Sequence, residues 1–85
     1  MMKKSTHTRD YGVFLKLLIE TRHKAGLTQV QLGAMLPFGQ PGISKIERGE
    51  RRVDVVELRS ICECLDITLE RFVSNLEFRL RESKR

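Results

Sequence analysis

The sequence predicts an all-α fold of five short helices in one domain, and three observations predict it. Apolar residues recur at spacings of three and four along nearly the whole chain, the pattern of helices that each bury one face. Helix-start patterns recur, in which a short polar residue is followed three positions later by an acid or amide. No stretch alternates apolar and polar residues over a useful length, so strands are not expected. A chain of 85 residues buries one modest core, which excludes large sheets and crossover layers.

The first helix is expected over 10–25, where Tyr11, Phe14, Leu15, Leu18 and Arg22 share a face that Leu17 and Ile19 widen. Gly26, after the basic pair His23-Lys24, is its stop. Helix two, over 28–36, opens on a capping box of Thr28 and Gln31, with Leu27 and Leu32 as its apolar staple. Helix three, over 40–48, follows Gly39, the weakest of the caps, with Phe38 and Ile43 in staple positions. Helix four, over 54–65, repeats the box with Asp54 and Glu57 and places Leu58, Ile61, Cys62 and Leu65 on one face. Helix five, over 68–80, follows Thr68, although Arg71 replaces the acid or amide. Its apolar residues are Leu69, Phe72, Val73, Leu76 and Leu80. Residues 10–80 form the domain, with a flexible arm expected over 1–9 and a basic tail over 81–85.

At 40% hydrophobic and 32% charged residues, the composition is that of a globular domain rather than a disordered tail. A net charge of +5 suits an anionic partner. Cys62 and Cys64 are two apart on a helix, so they point to roughly opposite faces and can neither bridge nor share a metal. Two unpaired thiols fit a reducing, cytoplasmic compartment. The polar N-terminus lacks a signal-peptide pattern, and no apolar run approaches the roughly 18 residues of a membrane helix. His7 and His23 have no nucleophile or paired carboxylate at useful spacing, and the glycines form no phosphate-binding loop. Neither enzymatic activity nor a cofactor nor a metal is expected.

The informative stretch runs from Gly26 to Gly49. One short helix, the turn Pro37-Phe38-Gly39 and a second short helix have the layout of a helix-turn-helix, whose second helix enters the DNA major groove. On that helix Ile43 and Ile46 point one way, while Gln40, Pro41, Ser44, Lys45 and Arg48 lie on the other side. Amides, hydroxyls and cations on an exposed face suit contact with phosphates and base edges, although a merely solvated face would look the same.

The runs Gly26-Leu27-Thr28-Gln29, Leu32-Gly33 and Ile43-Ser44-Lys45-Ile46-Glu47-Arg48-Gly49 resemble the phage-repressor family, the Cro and lambda-repressor-like or XRE regulators. The resemblance covers about residues 11–76. It implies a five-helix DNA-binding domain acting as a homodimer on a near-palindromic operator of double-stranded DNA, as a transcriptional regulator of the repressor kind, near the nucleoid. The alternative is an antitoxin-type regulator that also binds a protein toxin.

The resemblance also implies individual roles. Thr28 and Gln29 open helix two beside a phosphate. Gln40 stands at the main base-reading position, where an amide pairs with adenine. Lys45 reaches a guanine edge or a phosphate, and Ser44 assists either. Arg48, Arg51 and Arg52 clamp the backbone, with a solvated basic loop as the alternative for Arg51 and Arg52. Arg22 pairs with Glu47 to hold helix three against the core. Phe72, Leu76, Phe78 and Leu80 of helix five are expected to make the dimer contact.

Four positions depart from the family pattern. Pro37 occupies the usual turn glycine, and Pro41 and Gly42 fall inside the recognition helix, leaving Gln40 and Lys45 as the main base readers. Gly33 replaces the common alanine where helices two and three cross.

Overall fold

The computed structural model describes residues 8–83. It contains α1 (Arg9–Lys24), α2 (Gln29–Gly33), α3 (Gly39–Glu47), α4 (Val55–Cys64) and α5 (Leu69–Ser83), with no strand among the described residues. The helix starts follow from their caps. Thr28 and Asp54 both close full capping boxes: Gln31 N donates to Thr28 Oγ1 at 3.0 Å, and Glu57 N to Asp54 Oδ1 at 2.7 Å. Thr68 accepts from Arg71 N at 3.0 Å without a reciprocal partner. Thr8, which sequence reasoning passed over, caps α1 by accepting from Tyr11 N at 3.0 Å.

All five helices are present, most of their ends lie one residue from expectation, and three differences stand out. Most of the arm over 1–9 lies outside the described residues, as do Lys84 and Arg85, but Arg9 is already helical. At the other end, α5 continues to Ser83 rather than stopping at 80. Arg79 Nη2 donates to Glu20 Oε1 at 2.6 Å, and the Arg9 guanidinium donates to the Ser83 carbonyl, so both contacts tie the last turns of α5 to α1. The same hydrogen bond from Arg79 holds the Glu20 carboxyl below its ordinary range. Finally, α2 ends at Gly33 rather than 36, because Met35 N and Leu36 N turn back to the carbonyls of Leu32 and Gly33 and Pro37 bars continuation.

Helices α1, α3 and α4 end in one shared motif. In each, a residue in left-handed conformation (Gly26, Gly49 or Asp66) donates three residues back, and the next residue donates five back. Asp66, at φ 60°, is the member with a side-chain penalty in that region. Replacing it with glycine is expected to stabilise the fold by about 1 kcal/mol and raise Tm by roughly 4–8 °C. An unchanged melting curve would contradict that assignment of strain.

The core gathers Phe14, Leu17 and Leu18 of α1, Leu32 and Leu36, Ile43 and Ile46 of α3, Leu58, Ile61, Cys62 and Leu65, and Phe72 of α5. Phe14 and Phe72 meet edge to face with centroids 5.9 Å apart. Burial pushes the Cys62 thiol up to about 11, whereas Cys64 is only half-buried. The apolar residues of α5 do not share one environment. Val73 is exposed and takes no part in the core. Phe72 is fully buried inside one monomer, so it has no surface left to offer a second copy and is not a dimer contact.

Candidate nucleic-acid interface

Helix α3 is positioned by close backbone packing on α2. A Cβ built on Gly33 would lie 2.3 Å from Gln40 N and 2.5 Å from Gln40 Cα, so the start of α3 sits where no side chain fits. The turn between them departs from the expectation of a glycine at 37. Proline cannot take a positive φ, and the left-handed residue is instead Gly39, at φ +66°. Phe38 precedes α3 with no side-chain cap, and its ring folds over Gly42, whose Cβ would meet Phe38 Cδ1 at 2.7 Å. Gly42 is therefore buried and faces the turn, not the outer surface. Ile43 and Ile46 anchor the inner face, leaving Pro41 and Lys45 exposed and Gln40 and Ser44 half-exposed on the outer one.

A hydrogen-bonded chain runs through the junction. Arg22 Nε and Nη2 donate to Glu47 Oε2 and Oε1 at 2.7 and 3.0 Å, and Nη1 donates to the Leu27 carbonyl at 2.9 Å. Both side chains of this ion pair are more than nine-tenths buried. Gln29 Nε2 donates to Glu47 Oε1 at 2.8 Å, and Gln40 Nε2 donates to Gln29 Oε1 at 3.1 Å. The pair thus joins the end of α1 to the end of α3, while the two glutamines join the starts of α2 and α3. Bidentate pairing satisfies the carboxylate with good geometry, which a buried charge requires.

The cations beyond α3 are each held by a partner. Arg48 donates through Nε and Nη2 to Glu50 at 3.0 Å and also to Ser44 Oγ. This pairing holds the Glu50 carboxyl below its ordinary range and raises Arg48. Arg51 stacks over the Phe38 ring at 4.8 Å and donates to Glu57 Oε2 at 3.0 Å. Glu57 accepts as well from Asp54 N, so one carboxylate serves both the α4 capping box and Arg51. Arg52 lies over Tyr11 at 5.9 Å.

The residues singled out from sequence thus divide in two. Thr28, Gln29, Gln40, Pro41, Ser44, Lys45 and Arg48 lie on or beside α2 and α3, whereas Arg51 and Arg52 follow α3 and reach back to Phe38 and Tyr11. Sequence reasoning missed the parts of Phe38, Tyr11 and Glu57 in bracing this loop. Glu57 alone left a signal, its place in the capping box, and that signal accounts for only half of what it does. On α5, Leu76 packs partly against the core, Leu80 is half-buried and Phe78 is 58% exposed. No helix among the described residues is long and apolar enough to cross a membrane.

The comparisons with known proteins agree with this architecture. The helix-turn-helix family model matches residues 18–72, a span that begins in α1 and ends in α5 and so contains the α2–turn–α3 unit whole. No curated protein and no solved structure matches the chain. The matched span is well over half the chain, and its five helices, close-packed α2–α3 pair and polar outer face fit one account: the protein belongs to the helix-turn-helix family, as a DNA-binding transcriptional regulator of the phage-repressor-like (XRE, Cro and lambda-repressor) type.

Proposed function

We propose that the protein is a sequence-specific regulator that places α3 in the major groove of a near-palindromic operator, binds as a homodimer and represses by occupying the site. One observation carries this reading. The hydrogen bond from Gln40 to Gln29 brings the starts of α2 and α3 together, and Pro41, Ser44 and Lys45 extend the same outward surface with no apolar side chain larger than proline. Such a surface supports both phosphate contact and base readout. Arg48, Arg51 and Arg52 flank it, already ordered by their partners, so less side-chain freedom is lost on binding. Leu76, Phe78 and Leu80 supply the dimer contact in this reading, and the exposure of Phe78 supports it.

Selection from random-sequence duplexes at two salt concentrations tests the proposal. The expected result is an enriched near-palindrome with half-site centres about 34–36 Å apart and affinity that falls steeply with salt. Salt-sensitive binding without an enriched site would reject sequence-specific regulation. Lys45→Ala is expected to weaken binding in one of two diagnostic ways. A uniform loss with the salt slope reduced by about 1 identifies a phosphate contact, and a relaxed preference at one base pair identifies a base contact. Unchanged affinity would remove Lys45 from the interface.

A further inference from the structure

We infer that the buried carboxylate of Glu47 sets the base preference of Gln40 by fixing which way its amide points, with Gln29 as the intermediary. The inference rests on the DNA-reading role proposed above and goes beyond it. An ionised carboxylate only accepts hydrogen bonds, and the Arg22 guanidinium only donates. With Glu47 held by Arg22, Gln29 must turn its NH2 group toward Glu47 Oε1, where the distance is 2.8 Å. That leaves Gln29 Oε1 facing Gln40, so Gln40 must donate to it, at 3.1 Å. Each step follows from the chemistry of the group before it. An amide is ambiguous in isolation, but the charge at the end of the chain removes the ambiguity twice over.

The consequence appears at the outer end. With one N–H committed to Gln29, Gln40 presents its carbonyl oxygen and its other N–H, one acceptor beside one donor. Adenine offers the matching pair in the major groove, the N6 amino donor and the N7 acceptor. Guanine offers two acceptors, O6 and N7, so the Gln40 carbonyl would face an acceptor there. Reversing every bond in the chain would occupy the Gln40 carbonyl and turn its NH2 outward, an edge of two donors that suits guanine. Glu47 and Gln29 are thus positioning residues for specificity, acting through Gln40 without touching DNA bases themselves.

The test uses the full chain and duplexes built on the selected operator. Gln40→Ala first identifies the base pair that Gln40 reads, as the position whose preference it flattens. At that position the wild-type protein is expected to favour adenine over guanine by about tenfold or more, the discrimination typical of a good bidentate pair. Glu47→Gln allows the reversed chain, because its amide can donate to Gln29 Oε1. Gln29→Leu frees Gln40 while leaving the Arg22–Glu47 pair in place, so it serves even if the first variant does not fold. Either folded variant is expected to bring the adenine-to-guanine ratio to within about threefold of unity while preferences elsewhere in the operator persist. A merely structural role would weaken all sequences alike and leave that ratio untouched. Retention of the full ratio in Gln29→Leu, or a wild-type preference for guanine, would overturn the inference while leaving the DNA-binding reading intact. Failure to select any operator would overturn the reading itself, and with it this inference.

Discussion

Replacing Glu47 by alanine is expected to lower stability by about 3–5 kcal/mol. The reason is asymmetric. The Arg22–Glu47 pair contributes little net stability compared with a well-packed apolar pair, but removing one partner strands the other. Arg22 is 7% exposed and would keep only the Leu27 carbonyl as a partner, while Gln29 would lose its acceptor. For a domain of this size the melting temperature should fall by more than about 10 °C. DNA affinity should fall with it, because α3 loses its tie to α1. Thermal unfolding checks the first expectation, and a variant that melts like the wild type would show that the pair does not hold α3.

Gly33→Ala should be nearly as damaging, at about 3 kcal/mol, although it adds a single methyl group. Overpacking ordinarily costs about 1–3 kcal/mol because neighbouring side chains move aside. Here the nearest atoms are the backbone N and Cα of Gln40 and the carbonyl carbon of Gly39, all within 2.6 Å of the new carbon. No rotamer change relieves that, so α3 must move away from α2. The Gln29–Gln40 hydrogen bond spans the same junction, and DNA binding should therefore fall by more than stability alone predicts. Chemical denaturation together with a binding titration separates the two effects. A Gly33→Ala protein of wild-type stability and affinity would mean that the helices do not approach this closely in solution.

Much of the fold was legible because the signals were local. Helix α4 could be read from Asp54, Glu57 and the Leu58–Ile61–Cys62–Leu65 face, since a capping box and a 3.6-residue period both act within a few residues. Helix α5 was less legible. Phe72 and Val73 are adjacent and about 100° apart on a helix, so only one can centre on a small core, and nothing in the sequence says which. Packing chose Phe72 against Phe14, which also removed it from any dimer surface. The turn before α3 could be anticipated only as a departure. Pro37 ruled out the usual left-handed residue, but the transfer of that role to Gly39 depends on where Phe38 lands over Gly42.

The site was legible in its residue types and not in its connections. Glutamines at 29 and 40, Lys45 and the arginines stand out in sequence, and family resemblance pairs Arg22 with Glu47. The contacts of Arg51 with Phe38 and Glu57, and of Arg52 with Tyr11, join residues whose proximity depends on the completed fold. The direction of the Gln40–Gln29–Glu47 chain belongs to the same class, because it follows from which groups meet rather than from which are present.

The claim that DNA lies against the outer face of α2 and α3 is tested most directly by nuclear magnetic resonance. Isotope-labelled protein would be titrated with the selected duplex at low salt while backbone and side-chain amide signals are followed. The account predicts the largest changes at the side-chain amides of Gln29 and Gln40 and at the backbone of Ser44, Lys45 and Arg48, with α1 and α5 little affected outside any dimer contact. Changes centred on the α1–α5 surface around Phe78, with the signals of α3 unmoved, would contradict it and place the nucleic acid or another partner elsewhere on the molecule.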